Sequence, residues 1–432
     1  MGNEVLMEVV ANFHCVGISG SSNVAMEPAM RMKEAICGWY QFALSEIGAS
    51  VFLETLLLAL LVSLAACAIN IITERWHGRY SFDLDVKGIQ KVHKNVVPRT
   101  GGIAMLCGVL AVPLLAKFEY FPGLLQAETR TVIFKLVLAA IPAFMAGVVE
   151  DLTKRVSVKA RLCSIFVSAI LAAWLLGACL PRLDIWGLDT LLTLVPVSLV
   201  ITAFAVVGVT NSINMVDGFN GVAGIIIVIV LAGTGYLSWS AGDALITQLA
   251  LTGIGATAGF LLLNYPTGRL FMGDGGAYLM GFWAAEVAVL TVVRNPQINA
   301  WQILAIFAYP VIEVLFSIYR RMMLRNALVG APDRLHLHSL FYRRVTCHRI
   351  SINKYPWVRN AGVAWFVAAW LATATVSAVF LGNTVATALS LVVLQMLMYI
   401  AVYMRLVRGN WGRCRNVAVV LGLRPQQRRR SI

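Results

Sequence analysis

Four acidic residues invite a chemical reading: Glu150, Asp151, Asp217 and Asp274, in a chain that holds only 21 Asp and Glu. Each sits at the edge of a long apolar run. Glu150 and Asp151 close one run, Asp217 lies in NSINMVDGFNG from Asn211, and Asp274 lies in FMGDGG from Phe271, shortly after Asn264. Carboxylates brought together repel one another and need a cation to offset them. Hard oxygen donors that handle a phosphate suit Mg²⁺, which keeps waters and takes only one or two protein carboxylates, with Mn²⁺ as a substitute. Anion partners are at hand in Lys94 and Arg99 of HKNVVPRTGG, and in Arg334, His336 and His338 of PDRLHLHS. Taken singly, each feature has an ordinary reading. Glu150-Asp151 before Lys154 and Arg155 makes a helix end with local ion pairs. Asp217-Gly218 makes a turn, the histidines sit in a solvated basic loop, Lys94 and Arg99 are orientation charges, and Phe271 is a packed aromatic.

The elements that must position these residues are membrane helices. The chain is 59% hydrophobic and 13% charged, where a soluble domain carries about 25% charged residues. Eleven apolar runs read as spans: 51–72, 102–116, 132–149, 162–180, 191–209, 222–239, 244–263, 278–293, 301–319, 362–381 and 384–403. The second and eighth are short for a bilayer crossing of roughly 20 residues. The fold class expected is an all-α polytopic bundle of about 11 transmembrane helices. Residues 50–410 form the membrane domain, 1–49 an extension expected to be flexible, and 411–432 a basic tail.

Parity orients the bundle. With the N-terminus outside, 28 of the 35 Lys and Arg fall on the inner side and six on the outer, as the positive-inside tendency requires. A net charge of +14 is then a membrane signature rather than a nucleic-acid one, and the Arg428-Arg429-Arg430 tail suits an anionic cytoplasmic leaflet of membrane lipids. The same parity puts all five polar strings on the cytoplasmic face. The eight cysteines are scattered without a CxxC pair, which argues against a disulfide framework or a zinc site. Glu286 and Glu313 fall inside predicted spans, where an acid is a functional hypothesis by default. Structural pairing is the favoured reading for both, with Arg320 or Arg321 as partner of Glu313.

Five strings, PRTGG at 98–102, ED at 150–151, NxxNxxDGxNG from Asn211, FMGDGG from Phe271 and PDRLHLHS from Pro332, carry a resemblance in order and spacing. Over about residues 91–344 the chain resembles the polyprenyl-phosphate N-acetylhexosamine-1-phosphate transferases. The resemblance implies that an undecaprenyl phosphate oxygen attacks the sugar-linked phosphorus of a UDP-N-acetylhexosamine, UMP leaves, and a lipid diphosphosugar remains at the bacterial inner membrane. It assigns the Mg²⁺ to Asp274, with Asp217 beside it organising the diphosphate, and the lipid phosphate to the pair Glu150 and Asp151. Phe271 is implied to stack on uracil and Asn264 to touch the nucleotide. Lys94, Asn214, Asn220, Arg334, His336 and His338 are implied substrate contacts.

Three positions depart from the family pattern: Glu150 replaces an aspartate, Asn220 an acid, and Ser339 a histidine. The last two favour a surface-polysaccharide branch such as O-antigen synthesis over the peptidoglycan branch. N-acetylglucosamine is the default sugar, with fucosamine- or quinovosamine-type donors as alternatives. A transporter or flippase of lipid-linked substrates is the rival from another class, but its site is expected near the membrane midplane between repeats. A second rival is an inactive relative acting as a scaffold.

Overall fold

A computed structural model describes residues 46–81, 97–116, 125, 127–185, 187–325, 335–347 and 357–408. The expectations for residues 1–45 and 409–432, and for Lys94 and Arg334, lie outside the described residues. Among those described, the regular elements are all helices. In chain order they are α1 (Glu46–Ile72), α2 (Glu74–Ser81), α3 (Gly101–Leu115), α4 (Ala127–Thr153) and α5 (Val158–Leu176). Next come α6 (Leu188–Leu192), α7 (Val195–Val216), α8 (Val222–Ser240), α9 (Ala244–Asn264) and α10 (Gly273–Arg294). The last are α11 (Ala300–Ile306), α12 (Ala308–Tyr319), α13 (Leu337–Phe341), α14 (Trp357–Leu381) and α15 (Val385–Val407). π-helical turns extend α12 over Arg320–Arg325 and α13 over Tyr342–Thr346.

Nine of these helices are long and apolar enough to cross a membrane. All eleven predicted runs are helical, but two differ from a simple crossing. The run from 102 is the 15-residue α3, about 22 Å long at 1.5 Å per residue against a hydrocarbon core of about 30 Å. The run from 301 is broken at Phe307, where α11 and α12 meet at 81°. The eighth run, expected to be short, is the full 22-residue α10; the polar string FMGDGG hid its first turn.

The bundle is arranged around α10. In its most apolar stretch 94% of the residues are buried, against 17% for α15 and 22% for α1. Where helices meet lipid, large apolar side chains face outward: Trp174, Phe204 and Trp365 are all exposed. Lipid tails give no hydrophobic drive for helix association, so close packing must supply it. Gly255 and Gly259 of α9 do this by lying against the α1 backbone at the carbonyls of Leu56 and Leu60.

The two intramembrane acids differ from their expected pairings. Glu313 of α12 does not turn to Arg320, which instead donates to the Leu335 carbonyl at 2.7 Å and the Tyr403 hydroxyl at 2.8 Å; its partners come from the 335–339 segment. Glu286 of α10 is fully buried, and neither carboxylate oxygen has a hydrogen-bond partner among the described residues.

Candidate active site

The polar strings meet at one end of the bundle, beginning with two helix N-termini docked on each other. The Phe271 amide donates to the Pro98 carbonyl at 2.9 Å. In return Gly101 donates to the Phe271 carbonyl and Gly102 to the Met272 carbonyl, both at 3.0 Å. PRTGG and FMGDGG are thus joined backbone to backbone, and α3 and α10 start side by side. Only glycine permits it at Gly102, because a Cβ there would collide with the Gly276 amide. Gly273 has φ +73°, a left-handed conformation natural to glycine, and a Cβ there would lie 2.5 Å from Asp151 Oδ2.

Asp151, in the last turn of α4, ties this junction to a third helix. Its Oδ2 accepts the Gly275 amide at 2.9 Å, one of the N–H groups that the first turn of α10 cannot satisfy internally. Its Oδ1 lies 3.4 Å from Arg99 Nη1 and 3.8 Å from Lys154 Nζ. Asp274, in the first turn of α10, meets a fourth helix: Arg161 Nη1 of α5 donates to its Oδ2 at 2.6 Å. Each side chain of that pair keeps about a fifth of its surface exposed, 19% for Arg161 and 20% for Asp274, so solvent and a ligand reach them.

Asp217 follows the last turn of α7. Burial pushes its carboxyl up to about 7, opposed by Arg99 and reinforced by the charges of Asp274 and Asp151. The three aspartates therefore share one electrostatic neighbourhood, and the charge of Arg99 acts on both Asp151 and Asp217. Glu150 has a different setting. Its Oε2 accepts the Val156 amide at 2.9 Å and so closes the α4–α5 turn.

The asparagines brace the loops. Asn264 accepts the Gly221 amide and donates to the Leu270 carbonyl, both at 2.7 Å, which spends both ends of a buried amide inside the protein. Asn220 is also buried; its backbone amide donates to Asn360 Oδ1 at 2.7 Å and its side chain to the Pro266 carbonyl at 2.9 Å. Asn214 and Phe271 are half-buried. His336 and His338 are buried against Glu313, and the His338 ring forms a T-shaped pair with Phe219 of the Asp217 loop, centroids 5.7 Å apart.

A cleft of about 50 Å³ opens beside the junction, with Arg99 and Asp151 among its walls and the exposed Ile103 and Leu152 at its margin. Among the described residues no three His, Cys, Asp or Glu side chains close into a ready-made metal cage. Two contributors escaped the sequence reading. Arg161 was counted as an orientation charge, because nothing in VKARL points to an aspartate 113 residues away. Asn360 stands outside every motif string.

The stretch that carries all four acids matches a known family over residues 133–292, described as Glycosyl transferase family 4. Over those residues the chain is similar to glycosyl transferase family 4. The family match runs from α4 to the end of α10, so it includes Glu150, Asp151, Asp217 and Asp274 together with Arg161.

Individual relatives extend the likeness. A probable undecaprenyl-phosphate N-acetylglucosaminyl 1-phosphate transferase of Bacillus subtilis is 28% identical over 62% of this chain and 72% of its own length. A decaprenyl-phosphate N-acetylglucosaminephosphotransferase of Mycobacterium leprae is 27% identical over 70% of this chain and 81% of its own. The undecaprenyl-phosphate alpha-N-acetylglucosaminyl 1-phosphate transferase of Yersinia pestis is 29% identical over 60% and 69%.

Proposed function

We propose that this chain transfers N-acetylhexosamine-1-phosphate from a UDP-sugar to undecaprenyl phosphate at the inner face of a bacterial inner membrane, releasing UMP. The observation that carries the reading is the meeting of Asp151, Asp217 and Asp274 with Arg99 and Arg161 at one end of the bundle, contributed by α4, α5, α7, α10 and the segment before α3. The relatives are named for a transfer of this kind.

In the proposed reaction an oxygen of the lipid phosphate forms a bond to the sugar-linked phosphorus. The bond from that phosphorus to the bridging oxygen breaks, and UMP leaves with the electron pair. The cleft supports the lipid side of this scheme. Arg99 offers charge to the phosphate, while Ile103 and Leu152 give a polyprenyl tail an apolar exit toward the bilayer. A phosphate monoester has its second pKa near ~6 and is mostly dianionic at neutral pH, so no strong base is required. That agrees with Glu150 being occupied at the α4–α5 turn. Arg161 is placed to shift from Asp274 onto the donor diphosphate, where a guanidinium matches phosphate oxygens in two-pronged fashion. Catalysis is then chiefly alignment and charge neutralisation.

The donor set fits Mg²⁺, with Mn²⁺ as a substitute. The charges of Asp274 and Asp151 bear on the buried Asp217 carboxyl, and a divalent ion would offset that concentration of negative charge. Mg²⁺ retains waters and needs few protein ligands, so an open pair rather than a cage is appropriate. Asp274 and Asp217 would hold it, and when bound it supplies charge neutralisation to the diphosphate.

The sugar is proposed as N-acetylglucosamine and the product as the first lipid intermediate of a surface polysaccharide such as O-antigen. The test is to incubate the purified chain, in lipid nanodiscs with undecaprenyl phosphate and MgCl₂, with a panel of UDP-sugars and to measure UMP. Turnover is expected with UDP-N-acetylglucosamine or a related amino sugar. Folded protein that releases UMP from none of them would end the proposal.

A further inference from the structure

Glu313 stands 1% exposed in α12, just beyond the 81° break with α11. A carboxylate at this depth is costly unless it is well partnered, and three of its partners come from one short segment. Both of its oxygens accept the Leu337 amide, at 3.1 Å each. Its Oε1 lies 2.9 Å from His336 Nδ1 and its Oε2 3.7 Å from His338 Nδ1. The two imidazoles stack, with centroids 5.4 Å apart and planes within 2°.

This arrangement fixes which atom of the His336 ring remains available. A carboxylate oxygen accepts, so His336 Nδ1 donates to it, and the Nε2 atom is the ring's remaining polar atom. On His338 that atom points toward the loop after α7: a Cβ at Gly218 would lie 4.0 Å from His338 Nε2. Asp217 immediately precedes that glycine, and Phe219 immediately follows and packs edge-on against the same ring.

We propose that Glu313 is a positioning residue: from within the membrane domain it clamps the 336–338 segment so that His338 Nε2 faces the Asp217–Gly218 loop, where the protonated ring donates from that atom to the anionic diphosphate of the substrate. The proposal rests on the transferase reading above and adds to it a residue that touches no substrate. A loop merely needing attachment would be served by any buried acceptor. Here one acid orders two rings and the backbone between them, the logic by which an acid holds a catalytic imidazole in its working tautomer and direction.

The test uses the full chain in nanodiscs with undecaprenyl phosphate, comparing Glu313→Gln, Glu313→Asp, His338→Ala and the double variant Glu313→Gln with His338→Ala. Glu313→Gln is expected to lower kcat at least about tenfold with the donor KM within about twofold, and to unfold within about 3 °C of the parent. Glu313→Asp is expected to recover part of the rate. The double variant is expected to be within about twofold of His338→Ala, because both changes remove one function. Unchanged kcat, multiplicative losses in the double variant, or a collapse of stability shared by Gln and Asp would each overturn the proposal. Imidazole nitrogen shifts give a readout without turnover: His336 is expected to be Nδ1-protonated in the parent and to lose that preference in Glu313→Gln. A parent that transfers no sugar yet shows this change defeats the transferase reading while leaving the clamp in place.

Discussion

Arg161 on α5 and Asp274 on α10 are separated by 113 residues and joined at 2.6 Å. This contact links the helix that follows the Glu150–Asp151 turn to the N-terminus of the most buried helix in the bundle. It also sets cation against cation: Asp274 accepts the guanidinium in the structure, and the same oxygens are proposed for Mg²⁺. Arg161→Met is therefore expected to tighten the apparent affinity for the divalent ion, because a competitor is gone, and to lower kcat by at least about tenfold. Mn²⁺ binding followed by electron paramagnetic resonance, beside UMP release, checks both halves. Weaker Mn²⁺ binding in the variant would contradict the competition.

Glu150 and Asp274 are expected to differ in importance. Glu150 caps a turn through Val156, and the lipid phosphate is already ionised at neutral pH. Glu150→Gln, which can still accept that amide, should cost less than about tenfold in activity, whereas Asp274→Asn should cost at least about a hundredfold. UMP release by the two purified variants between pH 6 and 8.5 decides it. A larger loss from Glu150→Gln would restore that residue as a base.

Asp217 predicts how the divalent ion and pH interact. Its folded pKa is raised to about 7, so the carboxyl is largely protonated below that pH and ionised above it. A cation must displace the proton. Apparent Mg²⁺ affinity should fall as pH drops through 7, by up to about tenfold per unit for one competing proton. Asp217→Asn should flatten the dependence. Mg²⁺ titrations at pH 6 and 8 measure it, and equal affinities in the parent chain would count against the assignment.

Asn264 is expected to act on stability. Removing its side chain by Asn264→Ala strands the Gly221 amide and the Leu270 carbonyl, two buried groups. The expected cost is about 2 kcal/mol or more, seen as a lower unfolding temperature in detergent. A variant of parental stability with a raised donor KM would instead return Asn264 to the nucleotide.

Much of this was legible in the sequence. Among the described residues the apolar runs marked every helix long and apolar enough to cross a membrane, since a bilayer leaves the backbone no alternative, and the parity of the runs put Asp151, Asp217 and Asp274 on a common side. What escaped was what depends on contact across the bundle. The break at Phe307 leaves no mark in hydropathy. Glu313 was assigned to nearby arginines because sequence distance was the only guide, and its true partners lie 23 and 25 residues away. Asn220 and Asn264, which the family resemblance implies as substrate contacts, also brace loops through amides whose partners lie 46 and 43 residues away.

The central claim is that a sugar moves together with a phosphate. It is tested by giving the reconstituted chain undecaprenyl phosphate and UDP-N-acetylglucosamine radiolabelled at either the α- or the β-phosphate. The account predicts β-label in the lipid product and α-label in released UMP, both abolished by chelating Mg²⁺. Both labels leaving together as UDP would mean that the sugar alone is transferred, and would contradict it.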